Sequence, residues 1–148
     1  MKNLSPQPSI ASKSDLITVD ELTMWLTKTT LVRRRAILFA LETGLSVEAI
    51  IGLTWKNFSP STVSEFARRL TEAMPRHIKL GYVFWEVIPD TGVVAPMFGL
   101  RETMQEITGG LTYPELQHLY QSMIWIDRES DCIDFTRDLC TEYSARVG

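Results

Sequence analysis

Between Thr18 and Ile126 the chain is cut into short runs of helical periodicity by residues that start or stop helices, and this punctuation points to a mainly helical fold. Thr18-Val19-Asp20-Glu21 fits a capping box. In such a box the threonine hydroxyl accepts from the Glu21 amide and the glutamate reaches back, which predicts a helix to about Thr29 with Leu22, Trp25 and Leu26 on one face. A second helix is predicted over about Leu31 to Thr43, and Gly44 suits the left-handed residue that ends it. Ser46 can cap a third, with Val47, Ile50, Ile51 and Leu53 inward. A fourth is expected from about Thr62 to Met74, stopped by Pro75. The period then changes. Ile78 to Ile88 mixes β-branched and aromatic residues and predicts a short strand, and Pro89-Asp90-Thr91-Gly92 reads as a turn. Helices follow over about Met97 to Ile107, Tyr113 to Ile126 (with Pro114 tolerated in its first turn) and Ser130 to Ala145.

The expected fold class is therefore mainly α with a minor β element, in a compact helical domain. Residues 1–14, rich in Ser, Pro and Lys with little to bury, read as a flexible tail, and 15–148 as one domain. At 148 residues such a chain buries roughly two thirds of its unfolded surface. No apolar run approaches the ~18 residues of a membrane span, and no signal-peptide core is visible, so the expectation is a cytoplasmic protein that does not engage a membrane. Cys132 and Cys140 lack CxxC spacing and companion histidines, which predicts reduced thiols and no metal or other cofactor. The net charge of −3 does not advertise nucleic-acid binding, so that role would need local basic clusters.

Two segments narrow the reading. TGLSVEAIIGLTW, residues 43–55, resembles the first box of the tyrosine recombinases (the phage integrase family), which commonly reads T-G-L-R-x-x-E followed by apolar residues and L-x-W. Thr43, Gly44, Leu45, Leu53 and Trp55 fall in register. LTYPELQHLY, residues 111–120, is similar to the second box, L-T-x-H-D-L-R-H-x-F, through Leu111, Thr112, Leu116, His118 and Tyr120. The lead-in ITVDELTMWL and the aromatic stretch YVFW at 82–85 resemble the family's flanking elements, so the likeness runs from about Ile17 to Trp125.

The departures from that pattern matter most. The family grips the scissile phosphate with two arginines, whose planar guanidinium groups can each hold two oxygens. Here the first arginine aligns with Ser46 and the second with Gln117; the first-box glutamate falls on Ala49, with Glu48 one position away, and the second-box histidine on Pro114. The lysine-bearing β-hairpin has no evident counterpart, because Trp55 leads almost directly into the Ser-Pro loop at 59–61. Tyr143 comes too soon after the second box, without a Gly-His pair before it, to match the nucleophile. Each lost donor is worth about 2.7–4 kcal/mol of barrier, so the resemblance implies a fold without the chemistry, and no enzyme. Ser46, Gln117 and His118 would line a neutral pocket where that active site was.

What the resemblance then implies is a DNA-binding regulator: a phage or prophage repressor that occupies operators on double-stranded DNA in a bacterial host. Candidate phosphate contacts are Arg33, Arg34 and Arg35, Lys56, Arg68 and Arg69, and Arg76 with His77 and Lys79. The simpler reading of each such run is a solvated face. The family's separate N-terminal clamping domain has no counterpart here, so self-association is expected to supply the second grip. The alternative is a protein-interaction module that oligomerises or modulates a full-length recombinase without touching DNA. The acidic balance and the apolar Ile124, Trp125, Ile126 and Phe135 favour it.

Overall fold

The computed structural model describes residues 17–72, 74 and 81–123. Six α-helices, one 3-10 turn and a two-stranded hairpin run in the order α1 (Val19–Leu26), α2 (Leu31–Thr43), α3 (Val47–Ile51), the 3-10 turn (Pro60–Thr62), α4 (Glu65–Glu72), β1 (Trp85–Val87), β2 (Val94–Pro96), α5 (Leu100–Thr108) and α6 (Tyr113–Gln121) among those residues. The mainly helical class with a minor β element is what the chain adopts.

Local signals set the helix ends. Thr18 and Glu21 close a reciprocal capping box at α1, and Thr112 with Glu115 closes another at α6, with Pro114 in its first turn. Thr30 caps α2, whose far end turns at Gly44 with φ of 74°, a left-handed conformation that suits a residue without a Cβ. Ser46 caps α3, its Oγ accepting from the Ala49 amide at 3.1 Å.

α2 is the organising element. It packs most extensively on α4 and also meets α3, α5 and α6. Seven consecutive residues, Arg35 to Leu41, are buried, so no side of the helix's middle faces water. Enclosure of that kind is the mark of a central helix. Phe39 lies at its heart, its ring 5.2 Å from Phe84 and 5.9 Å from Phe58 between centroids. One continuous core joins α1, α2, α4, α5, α6 and the chain before β1.

Three expectations are corrected. The fourth helix starts later than Thr62: Pro60–Thr62 form a 3-10 turn, Val63 is extended, and Ser64 takes the cap by accepting from the Ala67 amide. The strand expected between Ile78 and Ile88 is confined, among the described residues, to Trp85–Val87, and it has an antiparallel partner that the sequence reading missed. Val94–Pro96 was too short and too near a proline to show a period. The Pro89–Gly92 turn joins the two, with Asp90 and Gly92 both left-handed. A hairpin therefore does exist between residues 55 and 111, and its residues, Trp85 to Pro96, include no lysine or arginine. Upstream, the stretch after α3 joins it through an isolated bridge between Thr54 and Tyr82.

The tail at 1–14, the final helix, Tyr143 and the apolar set Ile124, Trp125, Ile126 and Phe135 lie outside the described residues.

Candidate functional site

The end of α2 and the start of α3 form a tight corner, Gly44-Leu45-Ser46, and α6 is laid against it. The Gln117 amide nitrogen sits 2.8 Å from where a Cβ on Gly44 would be; the left-handed φ is what favours glycine here, and the amide, at the end of a flexible side chain, fills the space that the missing Cβ leaves. Tyr113, buried at the start of α6, turns its hydroxyl onto the same corner. It lies 3.0 Å from the Ala40 carbonyl and also contacts that of Leu45. With one proton to give, the hydroxyl donates to one carbonyl at a time. Burial pushes this phenol up to about 12, against the opposing pull of Arg101. Further along α6, Gln121 donates to the Leu41 carbonyl at 3.0 Å and Tyr120 donates to Glu42 at 2.8 Å. The other oxygen of Glu42 accepts from Ser64 at the start of α4.

The two segments that carry the resemblance, residues 43–55 and 111–120, thus meet in space. Ser46 and Gln117, the positions aligned with the two arginines, are brought to one corner, with Gln117 half-buried and Ser46 exposed. His118, next on α6, is also exposed. The Ser46 hydroxyl is engaged as a helix cap, and the corner carries no cation of its own.

A charged pair lies beside it. Arg101, in the first turn of α5, donates through Nη2 to Glu48 of α3 at 2.7 Å, with the Arg101 side chain partly and the Glu48 side chain largely in solvent. That hydrogen bond holds the Glu48 carboxyl below its ordinary range, and it raises Arg101 in turn. Glu115 is also held low, by the Thr112 backbone amide and then the Thr112 hydroxyl. In the sequence Glu48 stands only one position from the first-box acid, and Arg101 belongs to no motif. The two are 53 residues apart and share no motif, so only the tertiary contact could reveal them.

The structure describes three of the four basic clusters, and they differ in how far they are committed to the fold. Arg33 is committed to the fold. Its Nε and Nη2 grip the Glu86 carboxylate at 3.0 and 2.6 Å, Nη1 reaches the Thr103 hydroxyl at 2.7 Å and Nη2 the Phe98 carbonyl at 2.7 Å. Arg34 is half-buried and donates to the Thr29 carbonyl. Arg35 is 3% exposed, because α2 is enclosed on every side from that residue onward. Reading Arg33 to Arg35 as a DNA-facing cluster is therefore wrong for Arg33 and Arg35: a helix start that looked like a surface is the entry to a central helix. Lys56 is exposed. Arg68 and Arg69 lie on α4 in exposed pairs with Glu72 and Glu65, one helical turn away on either side. Arg76, His77 and Lys79 fall outside the described residues.

Among the described residues no group of three or more His, Cys, Asp or Glu side chains is placed to hold a metal ion, and no helix is long and apolar enough to cross a membrane. Comparison of the chain with protein-family models, with curated proteins and with solved structures finds no match in any of the three.

Proposed function

We propose that this chain is a catalytically inactive, integrase-like DNA-binding protein, a transcriptional repressor of phage or prophage origin that occupies operator DNA. The observation that carries this reading is the meeting of the two boxes. Segments 68 residues apart in sequence converge at Leu45 and Tyr113, with Gln117 filling the space beside Gly44. A recombinase would need its arginines at that corner. The chain supplies a serine hydroxyl and a carboxamide instead, with the Glu48 carboxylate on the adjoining helix, and this supports a fold without phosphoryl transfer, the DNA contacts being left to cations elsewhere.

The cations that support a DNA face are Lys56, Arg68 and Arg69. The pairs Arg68–Glu72 and Arg69–Glu65 are exposed, and pairs of that kind contribute only about 0.3–0.5 kcal/mol. Arg68 can therefore exchange its glutamate for a backbone phosphate at little expense to the fold. The test is to capture fragmented genomic DNA of the encoding phage or host on the full chain at two salt concentrations and sequence it. A few sharp peaks near promoters that fade at high salt are expected, and they should weaken in Arg68→Gln, which loses the pair with Glu72 without creating a repulsion and should cost the fold no more than about 0.5 kcal/mol. No enrichment at either salt would sink the repressor reading.

A second reading, a protein-interaction module, is favoured by a separate observation. Val87, Ile88 and Val93 at the hairpin and Phe98 just after it are exposed, Phe98 to 65%. From Val87 to Gly99 the only charged residue is Asp90. Such a surface suits an apolar protein partner better than a phosphate backbone. DNA indifference together with concentration-dependent sedimentation would select this reading.

A further inference from the structure

The proposed DNA face lacks a cation at the corner where the two boxes meet, yet an arginine from a third element stands next to it. We propose that Arg101 is a phosphate-gripping residue of that face and that Glu48 holds it back, so that the Glu48 carboxylate and a DNA phosphodiester compete for one guanidinium. This rests on the DNA-binding reading and adds a residue and a restraint to it.

Three observations carry the inference. The first is position. α5 packs on α3, whose cap is Ser46, and Arg101 contacts Glu48 two residues beyond that cap. Arg101 also acts electrostatically on Tyr113, whose hydroxyl rests on the corner itself. The second is the kind of contact. Arg33 uses both Nε and Nη2 on Glu86, with side chains 16% exposed, which makes a structural clamp. Arg101 touches Glu48 through Nη2 alone, with side chains 41% and 72% exposed. An arginine has five N–H donors in a fork shaped for two phosphate oxygens, so most of that capacity remains available to a ligand. The third is the cost of release. An ion pair that open to water contributes little to folding, and its partner can be exchanged without disturbing either helix. Glu48 then acts as a built-in competitor that keeps binding moderate and sensitive to salt.

The experiment measures binding of the full chain to a fluorescently labelled mixed-sequence DNA duplex by anisotropy across a salt series. Wild type is compared with Arg101→Gln, Glu48→Gln, the double variant and Glu102→Gln. Glu102 neighbours Arg101 in sequence, is exposed and acts on it by charge alone and more weakly than Glu48, so Glu102→Gln controls for the loss of a nearby negative charge without loss of the hydrogen bond. Arg101→Gln should weaken binding about tenfold at low salt and reduce the slope of log affinity against log salt by about 0.9, the loss of one phosphate contact. Glu48→Gln should tighten binding several-fold, more than Glu102→Gln does, and most of that gain should vanish on the Arg101→Gln background. Thermal unfolding of each variant establishes that the fold is kept. If wild type binds and Arg101→Gln leaves affinity and slope unchanged, the assignment of Arg101 falls while the DNA reading stands. Equal effects of Glu48→Gln with and without Arg101 would overturn the competition. If neither wild type nor Glu48→Gln binds duplex at low salt, the DNA reading falls and takes the assignment with it.

Discussion

Replacing Arg33 distinguishes a structural arginine from a DNA-facing one. Arg33 joins α2 to the hairpin through Glu86, to α5 through Thr103 and to the intervening loop through the Phe98 carbonyl. Removing one member of a fully buried pair strands the other charge and costs about 3–5 kcal/mol. Here both side chains keep 16% of their exposure, so water can reach the orphaned Glu86 and the expected loss for Arg33→Met drops to about 2–3 kcal/mol. For a chain of this size that corresponds to a fall in Tm of about 4–10 °C. Replacing both partners, Arg33→Met/Glu86→Met, removes the stranded charge and should recover to within about 1 kcal/mol of wild type. The assay is urea unfolding at neutral pH followed by circular dichroism, arranged as a double-mutant cycle. An Arg33→Met variant within about 0.5 kcal/mol of wild type, and weakened in DNA binding while fully folded, would refute the argument. Arg33 would then be a surface cation.

Two further outcomes test the corner. Gly44→Ala forces an L residue to a left-handed φ and pushes the Gln117 amide aside, and should destabilise by about 1–2 kcal/mol in urea. Gln117→Ala should recover only a few tenths of that, because the far end of a flexible side chain can move cheaply; full recovery would mean that Gly44 is not left-handed. Tyr113 gives a pH dependence. Its folded value is raised to about 12, above the roughly 10 of an exposed tyrosine, so its contribution is complete below pH ~10 and is lost as pH rises toward 12. Discounted for partial access of water, that loss is about 1–2 kcal/mol. Tyr113→Phe should be less stable at pH 7 by about 1 kcal/mol, for want of the hydroxyl's bond to the corner, and should lose less between pH 10 and 12. Parallel pH profiles for the two proteins would show that this hydroxyl is not held in the interior.

Much of the helical framework was legible from single residues. Leu31–Thr43 lies where its periodicity placed it, closed by Gly44, and Ser46 caps α3 through the bond its position implied. The box at Thr112 could have been read the same way as that at Thr18, since a threonine with a glutamate three residues on carries the same signal. These features are local: a cap is a contract between residues three apart, and the sequence writes it in full. Val94–Pro96 escaped notice because three residues ending in proline carry no readable period, and their strand exists only through pairing with Trp85–Val87.

The site divides along the same line. That Ser46 and Gln117 carry no charge is fixed by the sequence alone, and so is the absence of arginine and lysine from Trp85 to Pro96. Which cations remain for a ligand was decided by the tertiary structure. Arg33, Arg34 and Arg35 are identical as letters, yet one clamps Glu86 across 53 positions, one bonds back to Thr29 and one is enclosed with α2. Arg101 stood alone in the sequence and came to the corner by packing α5 on α3. The reason is one of range. Helix caps and turns act between neighbours in the chain, whereas the environment of a charge depends on which distant surfaces close over it, and only the folded packing determines that.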